Sequence, residues 1–222
     1  SIQLTFTMKG LEKDQQVSKY QIIDNNRSPQ LVAILRKKPN MGWTYRYDMK
    51  VYLGNFYGPG HDSTYVYTLP FEKGTAHYLS QGYDGSFSHQ GENAIDFIMP
   101  TGTSILAIRD GIVAEVVEHN NDGCPYRSCL KMAYSILIYH DDSTFSRYSH
   151  LQLNGAIVEV GDRISQGDHI AYSGNTGWSS EPHLHFSIFE ITEGNVSYSI
   201  PTKFNTENGI VFLEKKKEYR NP

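Results

Sequence analysis

Between Glu181 and Phe189 the chain reads Glu-Pro-His-Leu-His-Phe-Ser-Ile-Phe, and this alternation narrows the possible structures more than any other stretch. Side chains two apart in a β-strand point the same way, so Leu184, Phe186 and Ile188 form an apolar face while His183, His185 and Ser187 share the other. A one-residue slip would bury both imidazoles and expose the apolar set, so burial fixes the register. Two imidazoles then converge on one point, one wall of a candidate metal site. Such pairs also decorate solvated strand faces, and the metal reading therefore needs a third ligand, a general base and a fold that assembles them.

The 222 residues, 39% of them hydrophobic, suffice for one large all-β domain or two smaller ones. A net charge of −4 leaves no basic footprint, so nucleic acid is not an expected partner. Lys215-Lys216-Lys217 reads as a solvated C-terminal tail, residues 207–222. No apolar run is long enough to span a bilayer, and no signal peptide marks the first residues. A start at Ser1 fits a processed export signal and a trimmed chain equally. The two cysteines, Cys124 and Cys129, are too few for a structural zinc site and lack Cys-x-x-Cys spacing. A disulfide pinning a loop is the expectation, which favours an oxidising compartment; a pair of reduced thiols is the alternative.

Residues 1–75 read as short strands with turn signals at Asn25-Asn26, Lys38-Pro39-Asn40 and Gly58-Pro59-Gly60: an N-terminal β domain, sandwich-like and immunoglobulin-like in its spacing. Within it Tyr45, Tyr47, Met49, Val51 and Leu53 alternate with polar residues as in a half-buried strand. Pro70 to Thr75 marks the expected junction. Beyond it, a glycine-rich stretch from Gln81 to Gly91 leads into Asn93–Pro100, where Ile95, Phe97 and Met99 face one way and Ala94 and Asp96 the other. A carboxylate on a largely apolar strand needs a cation or hydrogen-bond donors. Asp96 is therefore the third ligand candidate, with a water-facing aspartate as the alternative, and His89 can fold back over the same face. Asp110-Gly111 signals a hairpin between Ser104–Ile108 and Ile112–Glu118. A second hairpin joins Ser135–Tyr139 to Thr144–Leu151 through Asp141-Asp142-Ser143, with Ser146, Tyr148 and His150 on one face. No segment here has helical periodicity.

The order His89…Asp96, Tyr148-Ser149-His150-Leu151, Gly174-Asn175-Thr176-Gly177 and Pro182-His183-Leu184-His185-Phe186, with Pro100-Thr101-Gly102-Thr103 and Asp110-Gly111 in their usual relative places, resembles the lysostaphin-type zinc metallopeptidases, which cleave peptidoglycan peptides. The resemblance runs from about Gln81 to Phe189. It implies an all-β fold, a lysostaphin-type antiparallel sheet with zinc in a groove, within a peptidase domain over residues 76–206. It further implies that His89, Asp96 and His185 are the Zn2+ ligands and His150 and His183 the catalytic histidines. The sequence departs from the commoner family spacing in one place: seven residues, not four, separate His89 from Asp96.

Ligand chemistry agrees, since catalytic zinc commonly takes three protein ligands and keeps a position for water. A neutral imidazole can accept that water's proton, and a second can stabilise the oxyanion or protonate the leaving amine. Which of His150 and His183 does which is open. The expected function is hydrolysis of peptide bonds, in peptidoglycan cross-links, by zinc-bound hydroxide, in a secreted or periplasmic enzyme. The smaller N-terminal domain would position the catalytic domain or cover part of its groove. The competing reading is a non-catalytic cell-wall-binding or hydrolase-activating module on the same fold. Of the remaining histidines, His77, His119, His140 and His169 read as structural or solvent-facing. Tyr148 and Asn93 are candidates to position substrate, and Trp178 to line the groove. Thiol titration of the unfolded, unreduced protein is expected to find no reactive cysteine.

Overall fold

The computed structural model describes residues 2–13, 20–21, 31–118, 123–192 and 196–222. The Asn25-Asn26 turn and His119 lie outside them. The chain forms two compact units, one reaching to Tyr57 and one starting at Gly58. The first contains β1 (Ile2–Lys9), β2 (Leu11–Lys13), β3 (Tyr20–Gln21), β4 (Leu35–Lys37) and β5 (Thr44–Val51). β1 lies between β3 and β5 in an antiparallel sheet, and β2 pairs with β4. The alternation of β5 does not bury one of its faces. Tyr45, Tyr47, Met49 and Val51 are all more than half exposed.

The second unit continues with β6 (Val66–Tyr67), β7 (Ala76–Gln81), β8 (Ala94–Ile98), β9 (Ser104–Leu106), β10 (Gly111–Val117), β11 (Gly123–Cys124), β12 (Ser135–Tyr139), β13 (Thr144–Ser149) and β14 (Leu151–Ala156). It closes with β15 (Arg163–Ile164), β16 (His169–Ser173), β17 (Gly177–Trp178), β18 (His183–Thr192), β19 (Val196–Ser199), β20 (Lys203–Thr206), β21 (Gly209–Phe212) and β22 (Lys217–Arg220). Among the described residues the only helical piece is a 3-10 turn, Arg127–Met132. The main sheet is antiparallel throughout, in the order β15-β10-β12-β13-β18-β8-β7-β22, with β19 also on β18. The all-β expectation is met.

Several boundaries differ from those expected. Tyr67, Leu69 and Phe71 are fully buried in the core of the second unit and β6 pairs with β20, so this unit starts at Gly58 rather than near residue 76. Aromatic burial outweighs the proline and glycine signals at Pro70–Thr75. The C-terminal stretch is not a tail: β22 hydrogen-bonds to β7 and Tyr219 and Leu213 join the core. Lys215 and Lys216 form the exposed turn that leads into β22 and only Lys217 lies on the strand, so the run looks, in sequence, like a solvated tail. The hairpin expected at Asp110-Gly111 is absent, since β9 pairs with β16 and β10 with β12 and β15. The β12–β13 hairpin forms as expected, with Ser143 in the left-handed region.

Beneath the main sheet, Ile95 and Phe97 of β8 pack with Leu184, Phe186 and Ile188 of β18, each at most 1% exposed. Buried polar groups here are satisfied. Tyr148 accepts the Ile108 N–H at 3.0 Å, and Arg109 pairs with Asp142 while lying over the Tyr65 ring. His140, fully buried, donates Nδ1–H to the Asp110 carbonyl at 2.7 Å and accepts the Ser146 hydroxyl at Nε2 at 3.0 Å. Burial pushes its pKa down from the ordinary imidazole value, so the folded state holds His140 neutral. The unfolded chain takes up that proton below about pH 6.5, and each such histidine steepens the loss of stability on acidification by up to about 1.4 kcal/mol per pH unit. Urea unfolding of the metal-free protein between about pH 7.5 and pH 5 is expected to show stability falling with pH, and falling less steeply in His140→Gln.

Candidate active site

The pairing of β18 with β8 sets His185 directly opposite Asp96. Cross-strand partners extend this row over the sheet: Val117 faces Ser135, Ser135 faces Ser149, Ser149 faces His185, and Gln81 stands on the far side of Asp96. These six residues belong to the lining of a groove of about 780 Å³. Small hydroxyl side chains keep its floor low beside the imidazoles.

His89, Asp96 and His185 meet at the end of this row. His89 is fully buried on the loop between β7 and β8, and its Nδ1–H donates to the Gly82 carbonyl at 3.1 Å. Its Nε2 therefore points at Asp96 Oδ2 and His185 Nδ1, each 3.2 Å away. His185 Nδ1 lies 2.9 Å from Asp96 Oδ1. Tetrahedral zinc with bonds of 2.0–2.1 Å spaces its ligands roughly 3.3 Å apart. Two imidazole nitrogens and a carboxylate that meets each of them through a different oxygen fit that ion in donor type and approximate spacing, and could hold it. Burial pushes the Asp96 carboxyl up, but hydrogen bonds and charge from His185 and His89 outweigh it, leaving it far below the usual carboxylate range. Burial likewise pulls His89 down, and the Asp96 hydrogen bond and charge reverse this to a net upward shift.

His150 reaches the groove in a way that strand alternation hides. On β13 alternation would carry it to the face of Ser146 and Tyr148, and both of those point into the core at 0% exposure. The backbone at His150 instead turns into the left-handed region, φ 62°, ending β13 and swinging the imidazole to the groove side. Non-glycine residues held there concentrate at functional sites. Nδ1–H of His150 donates to the Thr176 carbonyl at 2.6 Å, and its ring centroid lies 4.5 Å from that of His183 and 5.9 Å from that of His185. Burial, reinforced by these two neighbours, pushes the His150 pKa down to about 3. His183 donates Nδ1–H to the Glu181 carbonyl at 2.8 Å, with the Ser179 hydroxyl oxygen at 3.0 Å. Its Nε2 is 3.9 Å from Asp96 Oδ1.

All five histidine and aspartate candidates thus assemble. Of the weaker ones, Trp178 lines the groove and its ring lies 5.7 Å from that of Phe87. Tyr148 is buried on the opposite face of the sheet. Asn93 is tethered to Ser199 by two hydrogen bonds and lies off the groove lining. Cys124 and Cys129 are bridged. Their loop braces the 174–181 segment: β11 pairs with β17, Trp178 Nε1–H donates to the Pro125 carbonyl, and Ser179 N–H to that of Cys124. Gln81, which sequence reading left in a glycine-rich approach, donates to Asp96 Oδ2 at 2.9 Å.

The pattern of Peptidase family M23 matches residues 90–200, half of the chain, and the protein belongs to that family. Asp96, His150, His183 and His185 fall inside the match, and His89 lies one residue before it. Over 96 residues the chain is 34% identical to the peptidoglycan DD-endopeptidase ShyA of Vibrio cholerae, covering 43% of this chain and 20% of that protein. Over 110 residues it is 32% identical to the glycyl-glycine endopeptidase ALE-1 of Staphylococcus capitis, covering 50% and 28%. The chain thus spans about a fifth to just over a quarter of these relatives' length. The solved catalytic domain of lysostaphin from Staphylococcus simulans aligns with 25% identity and a TM-score of 0.40, over 62% of this chain and 87% of that one.

The backbone at residue 150 separates strain from chemistry. Glycine tolerates its left-handed conformation and alanine does not. In urea unfolding, His150→Gly is expected to be more stable than His150→Ala by about 1 kcal/mol.

Proposed function

We propose that the protein is a zinc-dependent endopeptidase that hydrolyses peptide bonds in peptidoglycan, with His89, Asp96 and His185 as the zinc ligands and the unit from Gly58 as the peptidase domain. One observation carries this reading: the donor atoms of three residues of zinc-binding type approach one another at 2.9–3.2 Å, Asp96 through both its oxygens, while two further imidazoles, His150 and His183, have Nδ1 engaged by main-chain carbonyls and Nε2 left for the groove. A module that only binds cell wall has no use for the second pair. The named activities of the relatives support peptidoglycan as the substrate, and with it a secreted or envelope location, which the bridged cysteines also favour.

Bound zinc would supply Lewis-acid chemistry, polarising a carbonyl and bringing the pKa of a water to about 7. The chain's own residues do the rest. His150, kept neutral by burial and by its imidazole neighbours, offers the Nε2 lone pair as a proton acceptor. Its Nδ1 keeps its proton, donated to the Thr176 carbonyl, which holds the tautomer. His183, similarly oriented by Glu181 and Ser179, presents Nε2 beside the Asp96 carboxylate. It can hold a proton there for the oxyanion or deliver it to the leaving amine. The open floor at Ser135 and Ser149 leaves room for an extended peptide.

Purified protein is expected to bind one zinc ion and to release peptides from purified cell walls, with loss of release on chelation and recovery on adding zinc. His150→Ala should keep the zinc and lose about 10²–10⁴-fold in turnover. Zinc present with no cleavage of any wall type would instead identify the non-catalytic module.

A further inference from the structure

The loop carrying His89 is longer than the commoner spacing, and a longer loop holds a ligand in place only if something spans it. The structure assigns that task to Gln81: we infer that it is a positioning residue that locks the Asp96 carboxylate and the His89 loop into one metal-binding arrangement. This rests on the ligand set proposed above.

The backbone shows how Gln81 comes to face the site. Leu79 pairs with Phe97, both buried in the core. Regular pairing would then set Gln81 opposite Ile95, also a core residue. A bulge between Leu79 and Gln81 shifts the register, and Gln81 stands opposite Asp96 instead. Bulges beside active sites re-aim a side chain in this way.

The amide uses its whole hydrogen-bonding capacity there, two donors and two acceptor positions. Nε2 donates to Asp96 Oδ2 at 2.9 Å and to Ser88 Oγ at 2.7 Å. Oε1 accepts the N–H groups of Phe87 and Ser88 at 3.3 and 3.4 Å. One planar group thus connects a ligand carboxylate to the two residues before the histidine ligand. Asp96 Oδ2 takes both this bond and the approach of His89 Nε2, so the amide fixes the orientation of the carboxylate. The loop closes tightly on the Gln81 stem: a Cβ at Gly85 would lie 2.4 Å from its Cγ. Glutamate has no donor for Asp96, and asparagine is one methylene too short to span these partners.

The test measures zinc affinity by chelator competition, with circular dichroism of the metal-free forms as the check on folding. Gln81→Met, which keeps the shape and removes the hydrogen bonds, is expected to weaken zinc binding about ten- to a hundredfold. Gly85→Ala, which displaces the Gln81 stem, should shift it in the same direction. Gln90→Ala is the control, because its amide serves the same loop through the Ser86 carbonyl without touching Asp96; it should leave affinity within about threefold of wild type. Gln81→Met binding zinc as tightly as wild type, or Gln90→Ala weakening it equally, would overturn the assignment. Should Gln81→Met not fold, Gly85→Ala decides: unchanged affinity there overturns it. A wild-type protein that binds no zinc would sink the ligand set itself, an outcome distinct from any difference among the variants.

Discussion

Everything in the groove depends on one pairing, that of β8 with β18. Leu184, Phe186 and Ile188 on one strand and Ile95 and Phe97 on the other are almost wholly buried. Shifting either strand by one residue would turn its set toward water. At about 1.5–3 kcal/mol for each large apolar side chain, a one-strand slip would cost about 3–9 kcal/mol, comparable to the whole stability of an ordinary domain. The opposition of His185 and Asp96 is therefore enforced from below, by residues that take no part in the chemistry. β13 is placed the same way, with Ser149 against His185.

Electrostatics complete what the register begins. Burial alone would neutralise Asp96, yet contacts from two imidazoles win and keep the carboxylate ionised. For His150 burial and the neighbouring imidazoles act in the same direction, and the ring stays neutral. Both groups thus stand deprotonated in one groove. An anion flanked by three imidazoles, with no lysine or arginine paired to it among the described residues, is an environment that favours a cation.

Much of this was legible in the sequence, and the failures share a cause. Alternation placed His183, His185 and Asp96 on the correct faces, because each shares its strand with apolar residues that had to be buried. It misplaced Tyr148, since nothing local announces that the chain turns left-handed at His150 and parts the two residues. It left Gln81 unnoticed for a similar reason: the bulge that aims it is a property of two strands together. The Asp110-Gly111 hairpin, the junction at Pro70 and the C-terminal tail were read from turn residues and charge, which report local preference. The partners of β6, β9 and β22 lie far away in the chain, where local preference carries no information.

The proton positions in the groove have a further consequence. His89, His150 and His183 each direct Nδ1–H to a main-chain carbonyl, those of Gly82, Thr176 and Glu181. A carbonyl is supplied by whatever amino acid occupies the position. Genetic drift at those three acceptor sites can therefore change the side chains around the groove without changing which nitrogen of each imidazole is bare, provided the backbone path is kept. Tautomer choice here is inherited through the path of the backbone and not through the identity of the acceptor side chains.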